Sequence, residues 1–331
     1  MTITRHAIVF IARLVLVISA VVLHGAMPTA TASAITIDTV PVGNVGNADD
    51  TTGYGAVSYH FNIGTTEVTN AQYAAFLNAK AASDPLGLYN TNMGLVLAGG
   101  GITRSGTSGS YSYAAISGRE NLPVNNVSWY DAIRFANWLH NGQGVGDTES
   151  GAYTILGGTA TPSNGLSITR NPGAVWWLTS EDEWYKAAYH KNDGNTANYF
   201  EYATSSDTDP TAEPPPGGSN SANYLNVVND LTSAGAYSAS VSPYGTFDQA
   251  GNAWEWNESL YSGSSRGLRG GGSGSVAANM AASYVASFNP TFEQNNWGFR
   301  VATVVPEPST WALALGGALG FLFCHGCRRK R

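Results

Sequence analysis

The apolar residues of this chain form two end runs and a long mixed middle. One run spans Ala7 to Val22, broken by a single charge at Arg13 and preceded by Arg5 and His6. The other spans Trp311 to Cys327 and ends against Arg328-Arg329-Lys330-Arg331. Between them, residues 57–63 (Val-Ser-Tyr-His-Phe-Asn-Ile) alternate as a half-buried strand does. Ala71 to Ala79 place Tyr73, Phe76 and Leu77 on one face of a helix that Thr69 or Asn70 can cap. The Gly- and Ser-rich residues 94–118 predict a surface loop. A second helix is predicted over Tyr130 to His140, with Ser128 as N-cap, Asp131 in the first turn, and Ile133, Phe135, Ala136, Trp138 and Leu139 on its buried side. Trp176 to Thr179 read as a short strand ending at a cap, and a third helix follows through Tyr189 with Glu181, Asp182 and Glu183 crowded into its start. Residues 205–220, with Pro214-Pro215-Pro216-Gly217-Gly218, lack the composition of a core, and from Tyr244 onward the pattern is turns and short strands. Few short helices among many short strands and long loops give an α+β class.

The end runs read as processing signals. The first is short, and Ala32-Ser33-Ala34 offers a small-residue cleavage site, which predicts a secretory signal peptide over residues 1–34. The second is marginal for a bilayer that needs about 20 apolar residues, and its basic end would stay cytoplasmic. Pro306-Glu307-Pro308-Ser309-Thr310, the apolar run and the basic stop together resemble the PEP-CTERM sorting signal of Gram-negative bacteria. That resemblance makes residues 306–331 a removable tail with a transmembrane segment. It implies transient inner-membrane anchoring, an exosortase-type processing protease as partner, and a final place on the cell surface or outside the cell. One large domain over 35–305 remains.

Charge and cysteine usage narrow its chemistry. This central segment keeps 10 basic and 22 acidic residues, a formal net charge of −12. Such a balance argues against nucleic acid and anionic membranes as partners and is compatible with divalent cations. The only cysteines are Cys324 and Cys327 in the tail, so the domain has no disulfide, thiol nucleophile or thiolate metal site. Its three histidines, His60, His140 and His190, lack metal-ligand spacing, and no G-x-S-x-G elbow accompanies the serines. Gly270-Gly271-Gly272 has no following Walker lysine and predicts a tight turn. Arg300 predicts a buried arginine bonded to carbonyls or an acid.

The order of motifs carries a second resemblance. Glu67-Val68-Thr69-Asn70-x-x-Tyr73-x-x-Phe76 is followed by Pro123-Val124 through Ser128-Trp129, Leu178-Thr179-x-Glu181-x-Glu183-Trp184 and Ala222-Asn223-Tyr224. Then come Ser242-Pro243-Tyr244-Gly245-Thr246-Phe247-Asp248, Gly251-Asn252-Ala253-Trp254-Glu255-Trp256, Arg269-Gly270-Gly271 and Gly298-Phe299-Arg300. Across roughly residues 55–303 the chain resembles the formylglycine-generating enzyme, or sulfatase-modifying factor, family. The resemblance implies a complex variant of the C-type lectin fold. It also implies a copper ion on two cysteines soon after the Arg-Gly-Gly motif, at positions that here hold Ser275 and Met280. Serine does not supply the soft thiolate that holds Cu(I), and a lone methionine is a weak substitute, so copper chemistry is not expected.

The same resemblance implies structural calcium at Asp248, Gly251, Ala253 and Glu255, and a second calcium at Glu67, Asn223 and Asp230. It places Tyr261, Ser275, Met280, Tyr284 and Phe288 in or near a ligand groove. The expectation is an exported surface or matrix protein whose non-catalytic domain binds a glycan such as exopolysaccharide, a peptide or a surface protein. The alternative is a metal-assisted enzyme with thiol-independent chemistry.

Overall fold

The computed structural model describes residues 34–261 and 263–305; residues 1–33 of the expected signal peptide, the expected sorting tail and the Cys324/Cys327 pair lie outside the described residues. Among the described residues, no helix is long and apolar enough to cross a membrane.

In chain order the elements are β1 (Thr39–Val42), β2 (Phe61–Gly64), α1 (Asn70–Lys80), β3 (Ile102–Ser105), β4 (Ser112–Ala115), α2 (Trp129–His140), β5 (Trp176–Leu178) and α3 (Glu181–Tyr189). They continue with β6 (Thr211–Ala212), β7 (Ser221–Ala222), β8 (Trp254–Tyr261), β9 (Ser265–Arg269), β10 (Ala286–Phe288), β11 (Trp297–Phe299) and β12 (Val301–Val304). The α+β expectation holds. Each helix starts where its sequence offers a reciprocal cap: Thr69 with Gln72, Ser128 with Asp131, and Ser180 with Glu183.

Two expectations change. The alternating strand over 57–63 is confined to β2, because residues 58–60 are exposed and unpaired. The loop over 94–118 contains the β3–β4 hairpin, in which Ile102 and Tyr113 turn inward while serines and threonines face out. Small polar residues hid that alternation.

Two four-stranded sheets, ordered β1-β2-β12-β5 and β10-β9-β8-β11, share the aromatic core. Within these two sheets all pairings are antiparallel except β8 with β11. Tyr73 and Phe76 of α1 meet Phe135 and Trp138 of α2 and Phe299 of β11, with ring centroids 5.3–6.4 Å apart. A second cluster gathers Trp184, Tyr185 and Tyr189 of α3 around Tyr202, Tyr224 and Met280.

Only Arg300 separates β11 from β12, so the chain passes from one sheet to the other at that residue. Its side chain is fully buried and clamps both sheets. It donates to both carboxylate oxygens of Glu255 on β8 at 2.6 Å, to the Gly64 carbonyl of β2 at 3.0 Å and to the Phe247 carbonyl at 3.0 Å. The expected buried arginine bonded to an acid and carbonyls is present.

Lys186 of α3 is also fully buried, yet its ammonium has one partner, the Asn44 carbonyl at 3.0 Å, and no acid among the described residues. Burial pushes its pKa down to about 8 from 10.5. The folded state therefore disfavours the charged form: the penalty is complete below about pH 8 and disappears as pH rises toward 10.5. Lys186→Met is expected to stabilise the protein by about 1 kcal/mol at pH 7, after the loss of the bond to Asn44. Urea melts at pH 7, 8.5 and 10 check this, since the advantage of the variant must shrink as pH rises.

Candidate functional site

The Arg269-Gly270-Gly271 turn ends β9 and sets the geometry beyond it. Gly270 and Gly271 have φ of +94° and +75°, the tight turn that the glycine run predicted. A Cβ on Gly271 would lie 2.8 Å from Met280 Cγ and 3.4 Å from Ser275 Cβ, so the two positions that stand for the missing cysteines do meet across this glycine. Both side chains are buried and committed to the interior. Met280 is fully buried among Trp184, Tyr189 and Ala281, and the Ser275 hydroxyl accepts the Gly272 N–H at 2.9 Å.

The other expected groove residues, Tyr261, Tyr284 and Phe288, come from β8, the loop before β10 and β10 itself. Tyr261, at the far end of β8, donates to Glu181 at 3.0 Å, and burial followed by the Glu181 charge raises its pKa. Glu181 also pairs with buried Arg269 at 2.5 Å, so this acid at the helix start serves a long-range ion pair as well as the helix dipole. Tyr284 and Phe288 are partly exposed near the β10 edge and pack on Trp254 and Trp297, with centroids 5.9 and 4.7 Å apart.

A cleft of about 390 Å³ instead opens beside Ser273 and Gly274, directly after the glycine turn. Four asparagines line it: Asn226 and Asn229 from the loop after β7, and Asn295 and Asn296 from the loop before β11. Val96 and Leu97 form an apolar wall, and Leu97 is fully exposed. None of the four asparagine side chains, nor the Ser273 hydroxyl, hydrogen-bonds another described residue. Buried asparagines elsewhere contrast with these largely exposed ones: Asn137 bridges two carbonyls and Asn125 another two. The single acid of the cleft, Asp230, is neutralised by Arg119 at 2.6 and 2.9 Å. The cleft thus offers donors and acceptors without net charge. Sequence reasoning missed these asparagines; their only signal was their position flanking Ala222-Asn223-Tyr224 and Trp297-Gly298-Phe299-Arg300.

The expected metal ligands divide by the state of their oxygens. Both oxygens of Glu255 are taken by Arg300, and one also accepts from Trp184 Nε1 at 2.7 Å. Asp248 accepts the Gly235 N–H at 2.5 Å, and burial pushes its carboxyl up to about 6. The set Asp248, Gly251, Ala253 and Glu255 therefore does not fit calcium with Glu255 as a ligand. In the second set, the Asp230 carboxylate belongs to Arg119. Glu67 Oε2 and Asn223 Oδ1, however, are buried oxygens with no hydrogen-bond partner, and both side chains touch Asn252. Burial, then the charges of Asp248 and Glu255, hold the Glu67 carboxyl well above its ordinary range. Two orphaned oxygen acceptors in an acid-rich interior fit a hard cation. Among the described residues, no group of three or more His, Cys, Asp or Glu side chains is placed to hold a metal, so such a cation would also need amide and main-chain oxygens. Copper does not fit: no cysteine is present between residues 34 and 305, and Ser275 and Met280 are committed as above.

A family model described as the sulfatase-modifying factor enzyme 1-like domain matches residues 30–305. Among solved structures, CarF is similar at 23% identity and a TM-score of 0.51, covering 82% of this chain and 100% of CarF. Treponema denticola variable protein 1 is similar at 18% identity and 0.51, covering 83% and 98%. PvdO from Pseudomonas aeruginosa matches at 16% identity and 0.44, covering 82% and 92%. No curated protein sequence matches the chain.

Proposed function

We propose that this chain, which belongs to the sulfatase-modifying factor enzyme 1-like family, is a non-catalytic binding module that holds an uncharged ligand in the asparagine-lined cleft. The carrying observation is that four asparagine amides and a serine hydroxyl face one cleft with their hydrogen-bonding capacity unspent. Each amide pairs a donor with an acceptor, which matches the hydroxyls of a glycan or the peptide groups of a protein segment. The burial of Met280 and the bond held by the Ser275 hydroxyl, where the resemblance would place copper-binding cysteines, support a binding role over oxidase chemistry. In this reading the signal-peptide-like and PEP-CTERM-like ends export the domain, an exosortase-type protease releases it from the inner membrane, and the partner is extracellular polysaccharide or a surface protein.

The test is retention of the purified protein on the producer's own extracellular polysaccharide and surface-protein fraction. The reading expects retention by one of them, and a loss of about 10- to 100-fold in affinity for Asn295→Ala/Asn296→Ala as two hydrogen bonds disappear. Absence of retention by both, or retention indifferent to the double variant, contradicts it.

Calcium is proposed as a structural ion at Glu67 and Asn223, where it would neutralise a buried carboxylate. Adding calcium after chelation is expected to raise the melting temperature by about 4 °C in the parent and not in Glu67→Gln. Equal melting with calcium and with chelator removes the ion from this account.

A further inference from the structure

The loop over residues 159–168 and the first turn of α2 bound a further cavity of about 360 Å³. None of its lining residues lines the asparagine cleft. Its wall combines Tyr130 of α2 with Thr161, Ser163, Gly165, Leu166 and Ser167 of the loop, and no acid lines it. Tyr130 is only 3% exposed, yet its hydroxyl has no hydrogen-bond partner among the described residues. Gly165 admits that hydroxyl: an added Cβ would overlap its oxygen and lie 3.0 Å from Tyr130 Cζ. A buried hydroxyl with nothing to bond is costly, and this one stands against a residue of the cavity wall.

Two buried arginines hold the loop from behind. Arg134 donates to the Thr159 and Ala160 carbonyls at 2.7 and 3.1 Å, and Arg266 to the Gly165 and Ile168 carbonyls at 3.3 and 2.9 Å. With these carbonyls spent on guanidinium groups, the Thr161 and Asn164 N–H groups donate to no other described residue. The two arginines differ in charge balance. Arg134 is neutralised by Glu149 at 2.6 Å. Among the seven arginines of the described residues, Arg266 alone forms no salt bridge. It is 3% exposed, lies 3.9 Å over the Trp129 ring, and its Nε has no hydrogen-bond partner. Glu258 gives it only a main-chain carbonyl, at 2.7 Å, and spends its carboxylate on Arg170 at 2.5 Å. Burial raises the Tyr130 pKa, while the charges of Arg266 and then Arg134 oppose that rise, so the hydroxyl keeps its proton at neutral pH within a positive field.

We propose that this cavity binds an oxyanion, with the Tyr130 hydroxyl as its buried donor and Arg266, behind Gly165, as its counter-charge. A carboxylate, sulfate or phosphate group accepts from a protonated hydroxyl and supplies the negative charge that a buried guanidinium without an acid lacks. A cation has no carboxylate to bind here and meets the field of Arg266. An uncharged sugar could use the hydroxyl but would leave the guanidinium uncompensated. The domain carries 22 acidic and 10 basic residues, so attraction of an anion has to be local, as it is at this loop. The oxyanion can be a free inorganic ion or the carboxylate of an acidic sugar.

Titration calorimetry on the intact protein separates these sources. The probes are sodium sulfate, sodium phosphate and glucuronate, at constant ionic strength, with glucose as the uncharged control. Tyr130→Phe is the informative variant, because it deletes a hydroxyl that bonds nothing in the protein and is expected to melt no lower than the parent. The parent is expected to bind at least one of the three anions saturably, and Tyr130→Phe to bind it about 10- to 100-fold more weakly. Preference for sulfate or phosphate identifies a free inorganic ion; preference for glucuronate identifies an acidic sugar. General stabilisation by excluded sulfate acts on both proteins alike and does not mimic this difference. Lack of saturable binding of all three anions, equal binding by Tyr130→Phe, or binding of glucose as tight as that of glucuronate overturns the site. The asparagine cleft is tested by other residues, so either site can fail while the other stands.

Discussion

Arg300→Met is expected to lower unfolding free energy by about 3–5 kcal/mol, because it strands a buried carboxylate whose only cation is gone. Glu255 is fully buried and both its oxygens bond to this guanidinium. The loss extends further than one pair. Glu67 and Asp248 lie within the field of Arg300, whose charge offsets part of the rise that burial imposes on both carboxyls, and the Gly64 and Phe247 carbonyls lose their donors. Since Arg300 is also the single residue between β11 and β12, its removal separates the two sheets at the point where the chain crosses. Urea unfolding read by tryptophan fluorescence checks the size of the effect. Methionine must fail where lysine does only a little better, since lysine lacks the planar fork that serves two carboxylate oxygens and two carbonyls. An Arg300→Met midpoint close to that of the parent would mean that the two sheets are joined by apolar packing alone.

Gly251→Ala is the second large effect, expected to cost about 3 kcal/mol. The residue has a φ of +81°, and an added Cβ would lie 2.5 Å from Asn223 O and 3.1 Å from Asn223 C. These are backbone atoms, so no side-chain rotation relieves the clash. The glycine also fixes the neighbouring contacts, because Gly251 N–H donates to Gly270 O at 2.8 Å and Asn252 N–H to Asn223 O at 2.8 Å. Thermal melts of the variant should show a fall several-fold larger than for Gly109→Ala, an exposed turn glycine with φ of +94° and no atom within 4 Å of its added Cβ. Comparable losses at the two sites would assign the whole cost to backbone strain and none to the close approach.

The helices were legible because their signals are local. Thr69, Ser128 and Ser180 each stand three residues before a side chain that bonds back, and the apolar spacing follows at once. The β3–β4 hairpin was not, since Ser105, Ser112 and Thr103 face solvent and look like loop composition. The acids at the start of α3 show the limit of local reading. Helix electrostatics accounts for their position, but Glu183 bonds Arg170, and Glu181 bonds Arg269, 88 residues away. The burial of Met280 was hidden for a related reason: it follows a loop that turns it inward against Trp184 and Tyr189, and nothing in the run from Val276 to Met280 marks that burial. The cleft was invisible because its asparagines come from loops about seventy residues apart, joined only by the fold.

The most direct test of a cleft-bound ligand is a calorimetric titration of the retained extracellular fraction into the parent and into Ser273→Trp. That substitution puts a bulky ring into the cleft from a half-exposed position and leaves the space between Ser275 and Met280 untouched. The account expects saturable binding by the parent and loss of at least about a hundredfold in affinity for the variant, with equal melting temperatures. Binding by Ser273→Trp that equals the parent's would place the ligand elsewhere and contradict the account.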